Sequence, residues 1–243
     1  MNIGALMPAH ASPLARSKRK TLPPEIAMID LYTWATPNGR KISILLEELA
    51  IDYQVHAINI SNGDQFEPAF LDIAPNNRIP AIHDRDCGVK LMESGAIMLY
   101  LANKYDRFQC SGPAYWPMVE WLMWQMSGFG PMLGQVHHFV KHNRGTSTYA
   151  ETRYLTEAAR LYQVLNTRLD GRDYVAGNSA GTYSIADISI WPWVSRFEWQ
   201  TIDLTNYPHI HRWYDRIAAR PAVQKGYHVP KYTTEIPLLP GHT

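Results

Sequence analysis

Apolar and polar positions over the first hundred residues switch repeatedly between a period of two and a period near 3.6. Residues 26–32 alternate and stop at a turn, which predicts a first strand. Thr36-Pro37-Asn38-Gly39 breaks the alternation. Ile42, Leu45, Leu46 and Leu49 then recur at i, i+3, i+4 and i+7, the stripe of an amphipathic helix. Residues 53–60 alternate again and predict a second strand, and a Gly63-Asp64 turn leads to a short helix around 68–72. Ile79-Pro80-Ala81-Ile82 and residues 89–92 predict two short strands joined as an antiparallel hairpin. Glu93-Ser94-Gly95 opens a helix with Ile97, Tyr100 and Leu101 on one face. The order is βαβ, helix, ββα: a parallel pair made by a right-handed crossover, extended by antiparallel strands.

Beyond Tyr105 the strand pattern stops. Ser111-Gly112-Pro113 marks a linker, and Val119, Leu122, Met123 and Met126 form a helical stripe that Gly128, Gly130 and Pro131 interrupt, predicting a kink or break. A third stripe runs through Leu155, Ala158, Ala159, Tyr162, Leu165 and Leu169, and residues 184–196 and 208–219 complete the set. An α/β half followed by an all-α helical bundle predicts two domains. The expected division is an N-terminal extension at 1–27, an α/β domain at 28–105, a linker at 106–113, a helical domain at 114–230 and a tail at 231–243.

Composition narrows the function classes. A formal net charge of +1 gives no electrostatic argument for a nucleic-acid or membrane partner, and no run is long and apolar enough to span a bilayer. The two cysteines, Cys87 and Cys110, are far apart and form no CxxC pair, which argues against a disulfide framework and for a reducing, cytoplasmic compartment. Residues 1–27 carry Arg16, Lys18, Arg19 and Lys20 without a following apolar stretch, so they do not read as a secretory signal; they are read as a flexible arm or a product of start-site choice. His138 and His142 lie one helical turn apart beside His137, yet no third ligand accompanies them at a zinc spacing, so no metal is expected.

Five segments in order carry a family likeness: Thr36-Pro37-Asn38-Gly39, 75–82 (Pro-Asn-Asn-Arg-Ile-Pro-Ala-Ile), Glu93-Ser94-Gly95-Ala96-Ile97, 134–139 (Gly-Gln-Val-His-His-Phe) and Ser184-Ile185-Ala186-Asp187-Ile188. Each is weak alone. Together, over roughly residues 28–225, the chain resembles a glutathione transferase, in particular the bacterial nu class and the yeast nitrogen-regulator type. The resemblance implies a thioredoxin-like first domain, a helical second domain, glutathione as co-substrate, and a homodimer, to which Trp116, Trp121 and Trp124 would contribute.

Residue by residue, the likeness and the local chemistry agree. In thioredoxin-like folds a cis-proline before a strand leaves the peptide groups of the preceding residue free to pair with an extended tripeptide, and Ile79-Pro80 matches that role. Glu93-Ser94 at a helix start suits an α-amino acid: the hydroxyl and free N–H groups take the carboxylate, and Glu93 the ammonium. Ser94 as a plain N-cap is the alternative. Thr36 and Asn38 occupy the loop where the resemblance places the group that meets the glutathione thiol. A thiol of pKa ~8.5 needs about 2.7 kcal/mol to fall two units. One charge-assisted hydrogen bond at roughly 1.5–3 kcal/mol, with a helix N-terminus adding about 0.3–1, is sufficient. No cysteine stands there, which excludes a protein–glutathione mixed disulfide at this loop, and Tyr32 is assigned to the core. The resemblance further places Gln65 and Asn77 on the glutathione backbone or glycyl end. Arg153 would reach in from the helical domain toward a second glutathione or the other half of glutathione disulfide, where its planar fork suits a carboxylate. Ser184 and Asp187 form a capping box with a Tyr183/Ile188 staple, a folding signal.

The expected activity is glutathione-dependent thiol–disulfide oxidoreduction or peroxide reduction on a small disulfide or peroxide, with two glutathione units or glutathione disulfide in one cleft. A transferase conjugating electrophiles, and a non-catalytic glutathione-binding regulator, remain alternatives.

Overall fold

The computed structural model describes residues 29–239; the reading of residues 1–27 lies outside them. Four strands, β1 (Ile29–Thr33), β2 (Tyr53–Ala57), β3 (Ala81–Asp84) and β4 (Val89–Met92), form one mixed sheet in the order β2-β1-β3-β4. β1 and β2 are parallel, Ile29 opposite Tyr53, while β3 runs antiparallel to both β1 and β4, with Tyr32 opposite Ala81 and Ala81 opposite Met92. The crossover from β1 to β2 is α1 (Pro37–Leu49); α2 (Pro68–Leu71) precedes β3, and α3 (Ser94–Tyr105) follows β4. The expected thioredoxin-like order is the observed one.

Two strands are displaced from their expected limits. β2 stops at Ala57 because the Asn59 N–H turns to the Asp64 carboxylate at 2.8 Å, starting a turn in place of the expected strand end. The strand expected at 79–82 begins at Ala81, two residues later. Pro80 has no N–H to give the ladder.

Helices fill the rest: α4 (Tyr115–Trp124), α5 (Gly130–Val136), α6 (Thr148–Arg168), α7 (Ile185–Val194), α8 (Pro208–Ala218) and α9 (Pro221–Tyr227). The interruption expected near Gly128 takes the form of a π-helical turn, Gln125–Phe129, and a second π stretch, His137–His142, ends α5. The chain therefore continues through Pro131 without breaking. One hydrophobic core spans sheet and helices, because α1 packs on α3, α7 and α9 at once, burying Ile42, Ile44, Leu45 and Leu46.

All ten residues of α7 are buried. Its start is the capping box read from the sequence: the Ala186 N–H donates to Ser184 Oγ at 3.3 Å, and the Ser184 N–H to Asp187 Oδ2 at 3.1 Å. Asp187 does more than close that box. Its Oδ1 accepts from the Val175 N–H and the Trp213 Nε1–H, each at 2.9 Å, so one buried carboxylate ties α7 to α8 and to the preceding loop. Burial raises its pKa to about 6. Asp187→Ala strands several buried donors and is expected to cost about 3 kcal/mol, since each unsatisfied buried group costs about 1–3. Calorimetry should show a clearly lower melting temperature, with activity per folded molecule intact; full thermal stability in the variant would refute this.

Candidate active site

The Thr36-Pro37-Asn38-Gly39 segment explains its own geometry. Thr36 has extended backbone (φ −112°, ψ 163°) and its Oγ1 accepts from the Gly39 N–H at 3.2 Å, an N-cap for α1, and Pro37 takes the first helical position, where no N–H is missed. Gly39 is obligatory: a Cβ there would lie 2.1 Å from the Trp34 carbonyl oxygen. Asn38 is left to face outward, and the indole Nε1–H of Trp193 on α7 donates to its Oδ1 at 3.1 Å.

Asn38 faces two adjoining cavities, of about 280 and 470 Å³, which share Asn38, Glu93, Ser94 and Pro131 in their walls. Ile79, Pro80, Arg78 and Met92 complete one of them; Lys41, Gln125, Met126 and Trp193 complete the other. The Ile79–Pro80 peptide bond is cis, and Ile79 precedes the β3 ladder.

Glu93 and Ser94 form the far wall. Glu93 is the N-cap residue of α3, with φ 68° and ψ 112°, a region that residues with a Cβ avoid at a cost of about 1–3 kcal/mol. It makes no capping hydrogen bond with its side chain. Ser94 is the first helical residue rather than the cap, and it is buried. The amide end of α3 thus meets the cavity without a side-chain acceptor, which is the electrostatic requirement for an anion.

Sequence reasoning missed the residue beneath this wall. Lys41 is 1% exposed, and its Nζ donates to Gln125 Oε1 at 2.6 Å and Ser94 Oγ at 3.3 Å, with Met126 Sδ at 3.7 Å. All three partners are neutral. Desolvation lowers its pKa to about 7, against the pull of the Glu93 carboxylate in the other direction. The available signal was spacing: Lys41 follows Asn38 by three residues, hence lies on the same face of α1. Nothing in the sequence pairs it with Gln125, which arrives on the π turn from the helical half.

The structure brings Asn38, Ile79, Pro80, Glu93 and Ser94 together, with Thr36 capping the helix beside them. Thr36, Gln65, Asn77 and Arg153 are not among the residues lining these two cavities. Gln65 sits on a 3-10 turn with its Oε1 buried and without a hydrogen-bond partner, and Asn77 occupies a left-handed turn at φ 46°. Arg153 lines a separate cavity of about 490 Å³ with Met132 and Tyr149. Arg78, given no function from sequence, stands in the cleft wall. His137 stacks on Trp193 with centroids 5.6 Å apart, and burial drops its pKa to about 4. Among the described residues no group of three or more His, Cys, Asp or Glu side chains is placed to hold a metal. Neither the exposed Cys87 nor the buried Cys110 lines the cleft. Among the described residues no helix is long and apolar enough to cross a membrane.

Comparison with known proteins agrees with this arrangement. Residues 27–103 match the N-terminal domain of glutathione S-transferase and residues 131–221 its C-terminal domain. The disulfide-bond oxidoreductase YfcG of Escherichia coli K12 is 48% identical over 201 residues, covering 80% of this chain and 92% of that one. A glutathione transferase from Pseudomonas putida, solved with one glutathione disulfide bound per subunit, superposes with a TM-score of 0.78 at 38% identity, over 84% of this chain and 92% of that one. Another from Burkholderia graminis, solved with two glutathione molecules per subunit, gives 0.79 at 37% identity, over 85% and 90%. The two domain matches, which together span most of the chain, and the 48% identity to YfcG show that this chain belongs to the glutathione S-transferase family.

Proposed function

We propose that this protein is a glutathione-dependent disulfide reductase whose cleft holds two glutathione units, or their disulfide. The observation that carries the reading is the pairing of Asn38, at the start of α1, with the uncapped start of α3 across one cleft. One end suits a thiolate and the other an α-amino acid, which are the two ends of a γ-glutamyl-cysteinyl ligand. Ile79 pairs with the backbone between them, Glu93 takes the ammonium, and Ser94 with the α3 amides takes the carboxylate. Thr36 already accepts the capping bond, so its hydroxyl proton is free to donate to sulfur, as is the Asn38 amide. Gln65 and Asn77 serve the remaining glutathione backbone, and Arg153 the carboxylate of the second unit. The disulfide-bond oxidoreductase and the glutathione-bound relatives support this choice over conjugation.

The chemistry then balances without a protein cysteine. A glutathione thiolate attacks one sulfur of the substrate disulfide and expels a thiolate, leaving a mixed disulfide. The second glutathione thiolate attacks its glutathione sulfur, expels the second substrate thiolate and forms glutathione disulfide. Two protons, released as the glutathione thiols ionise, end on the two product thiols. The reading includes a homodimer, which the 70% exposed ring of Trp116 on the helical half supports.

Side-by-side assays test the assignment. Reduction of hydroxyethyl disulfide by glutathione is expected to exceed conjugation of chlorodinitrobenzene by at least about tenfold in kcat/KM, a transition-state difference of about 1.4 kcal/mol. The reverse ranking makes the protein a conjugating transferase. Tight glutathione binding with neither reaction makes it a regulator.

A further inference from the structure

Asn38 has a donor and an acceptor on one amide, and only the donor helps a thiolate. An amide free to rotate would present its oxygen to the sulfur part of the time, and an oxygen beside a thiolate is repulsive. The indole of Trp193 resolves this, because its Nε1–H is a donor with no acceptor capacity. Lying 3.1 Å from Asn38, it fixes the amide with Oδ1 toward α7 and Nδ2 away from it. Both residues line the cavity that Glu93 and Ser94 close.

Trp193 is itself held in place by its neighbours. A Cβ on Gly130 would stand 3.3 Å from its ring and one on Gly134 3.6 Å, so the two glycines of α5 form the slot for the indole. His137, three residues after Gly134 on the same helical stretch, stacks on the indole, tilted by 21°. Gln200 Nε2 donates to the Trp193 carbonyl at 2.9 Å and lies 3.1 Å from His137 Nε2, while Gln200 Oε1 accepts from the Tyr162 hydroxyl at 2.6 Å. Gln200 being the donor at both contacts, His137 Nε2 accepts and its proton sits on Nδ1. The neutral ring adds no charge beside Asn38. Gly130, which read as part of a helix interruption in the sequence, is thus part of the seat of an indole.

We infer that Trp193 is a positioning residue that locks the Asn38 amide in its donating orientation, so that the helical half of the protein sets the acidity of a thiol bound by the other half. The inference rests on the assignment of Asn38 as thiolate donor. Its test is a cycle of Trp193→Phe, Asn38→Ala and the double variant. Readouts are the pH titration of bound glutathione by ultraviolet thiolate absorbance, and kcat and KM for hydroxyethyl disulfide reduction. Trp193→Phe should raise the thiol pKa by about half a unit to one unit, in keeping with the partial loss of one charge-assisted hydrogen bond. It should lower kcat at neutral pH severalfold with KM for glutathione unchanged, and do neither in the Asn38→Ala background. Replacing Trp193 by its benzothiophene isostere removes the N–H while keeping the ring in its slot, and should give the same shift if Trp193→Phe fails to fold. An unchanged thiol pKa in the isostere, or an equal shift with and without Asn38, overturns the role of Trp193. A thiol pKa that Asn38→Ala itself leaves unmoved overturns the assignment of Asn38, and this inference with it.

Discussion

The Thr36→Ala, Asn38→Ala double variant is expected to lose about 100-fold or more in kcat/KM for disulfide reduction, because in the proposed mechanism each residue gives sulfur a charge-assisted hydrogen bond of roughly 1.5–3 kcal/mol. Binding should survive far better than turnover. The proposal places the ligand's amino acid end on Glu93, Ser94 and the start of α3, none of which the two substitutions touch. The separation of kcat from KM therefore carries the test. The two sites should differ singly. Thr36 also caps α1, and losing a cap costs about 0.5–2 kcal/mol of stability. Asn38 caps nothing, and among the described residues its side chain bonds to Trp193 alone. Thr36→Ala should thus lower both melting temperature and rate, whereas Asn38→Ala should lower the rate with little thermal cost. Steady-state kinetics beside calorimetry resolves the two, and full activity in the double variant removes both residues from the mechanism.

How far the sequence disclosed this site follows from where each contact originates. Contacts local in the chain were legible: the cap at Thr36, the proline at the helix start, the capping box from Ser184 to Asp187, and the strand and helix order of the sheet. Contacts that cross from the helical half were not. Lys41 reads as one more polar residue beside an apolar stripe until Gln125 is seen 84 positions away in sequence, at 2.6 Å in space. Trp193 reads as core until its N–H is found on Asn38. The Gly128 to Pro131 region illustrates the same limit. Glycine and proline predicted a kink or break, and the interruption takes the form of a π turn that carries the buried Gln125, a partner that local propensity could not announce. The strain at Glu93 was equally hidden, since nothing in Glu-Ser-Gly announces a positive φ at the residue with the largest side chain.

Lys41 sets the second large expectation, a pH dependence of binding that does not involve the thiol. In the free protein its ammonium is buried among neutral acceptors, and desolvation holds its pKa down to about 7. A carboxylate bound at Ser94 and the start of α3 supplies the missing counter-charge, so the bound-state pKa lies above the free-state one. The sign follows from linkage. Binding favours the protonated lysine, so the added affinity is fully present below pH 7 and is lost as pH rises through 7 toward the bound-state pKa. S-methylglutathione removes the thiol from this titration, and comparison with Lys41→Met separates the lysine from the ligand's own ammonium. Its affinity should fall about five- to tenfold between about pH 6.5 and 8.5, with proton uptake visible as a buffer-dependent heat in calorimetry. Lys41→Met should bind it more weakly and lose the part of the slope centred near pH 7, leaving only that of the ligand's ammonium toward the upper end of the window. The substitution should also change the protein's own stability with a defined sign. In the folded wild type the lysine releases its proton near pH 7, and in the unfolded chain only near 10.5, so the unfolded state holds more protons between those values. Wild-type stability should therefore gain from Lys41 as pH rises across that interval, a gain that Lys41→Met lacks. A ligand affinity flat from pH 6.5 to 8.5 in the wild type would place the carboxylate beyond the reach of Lys41.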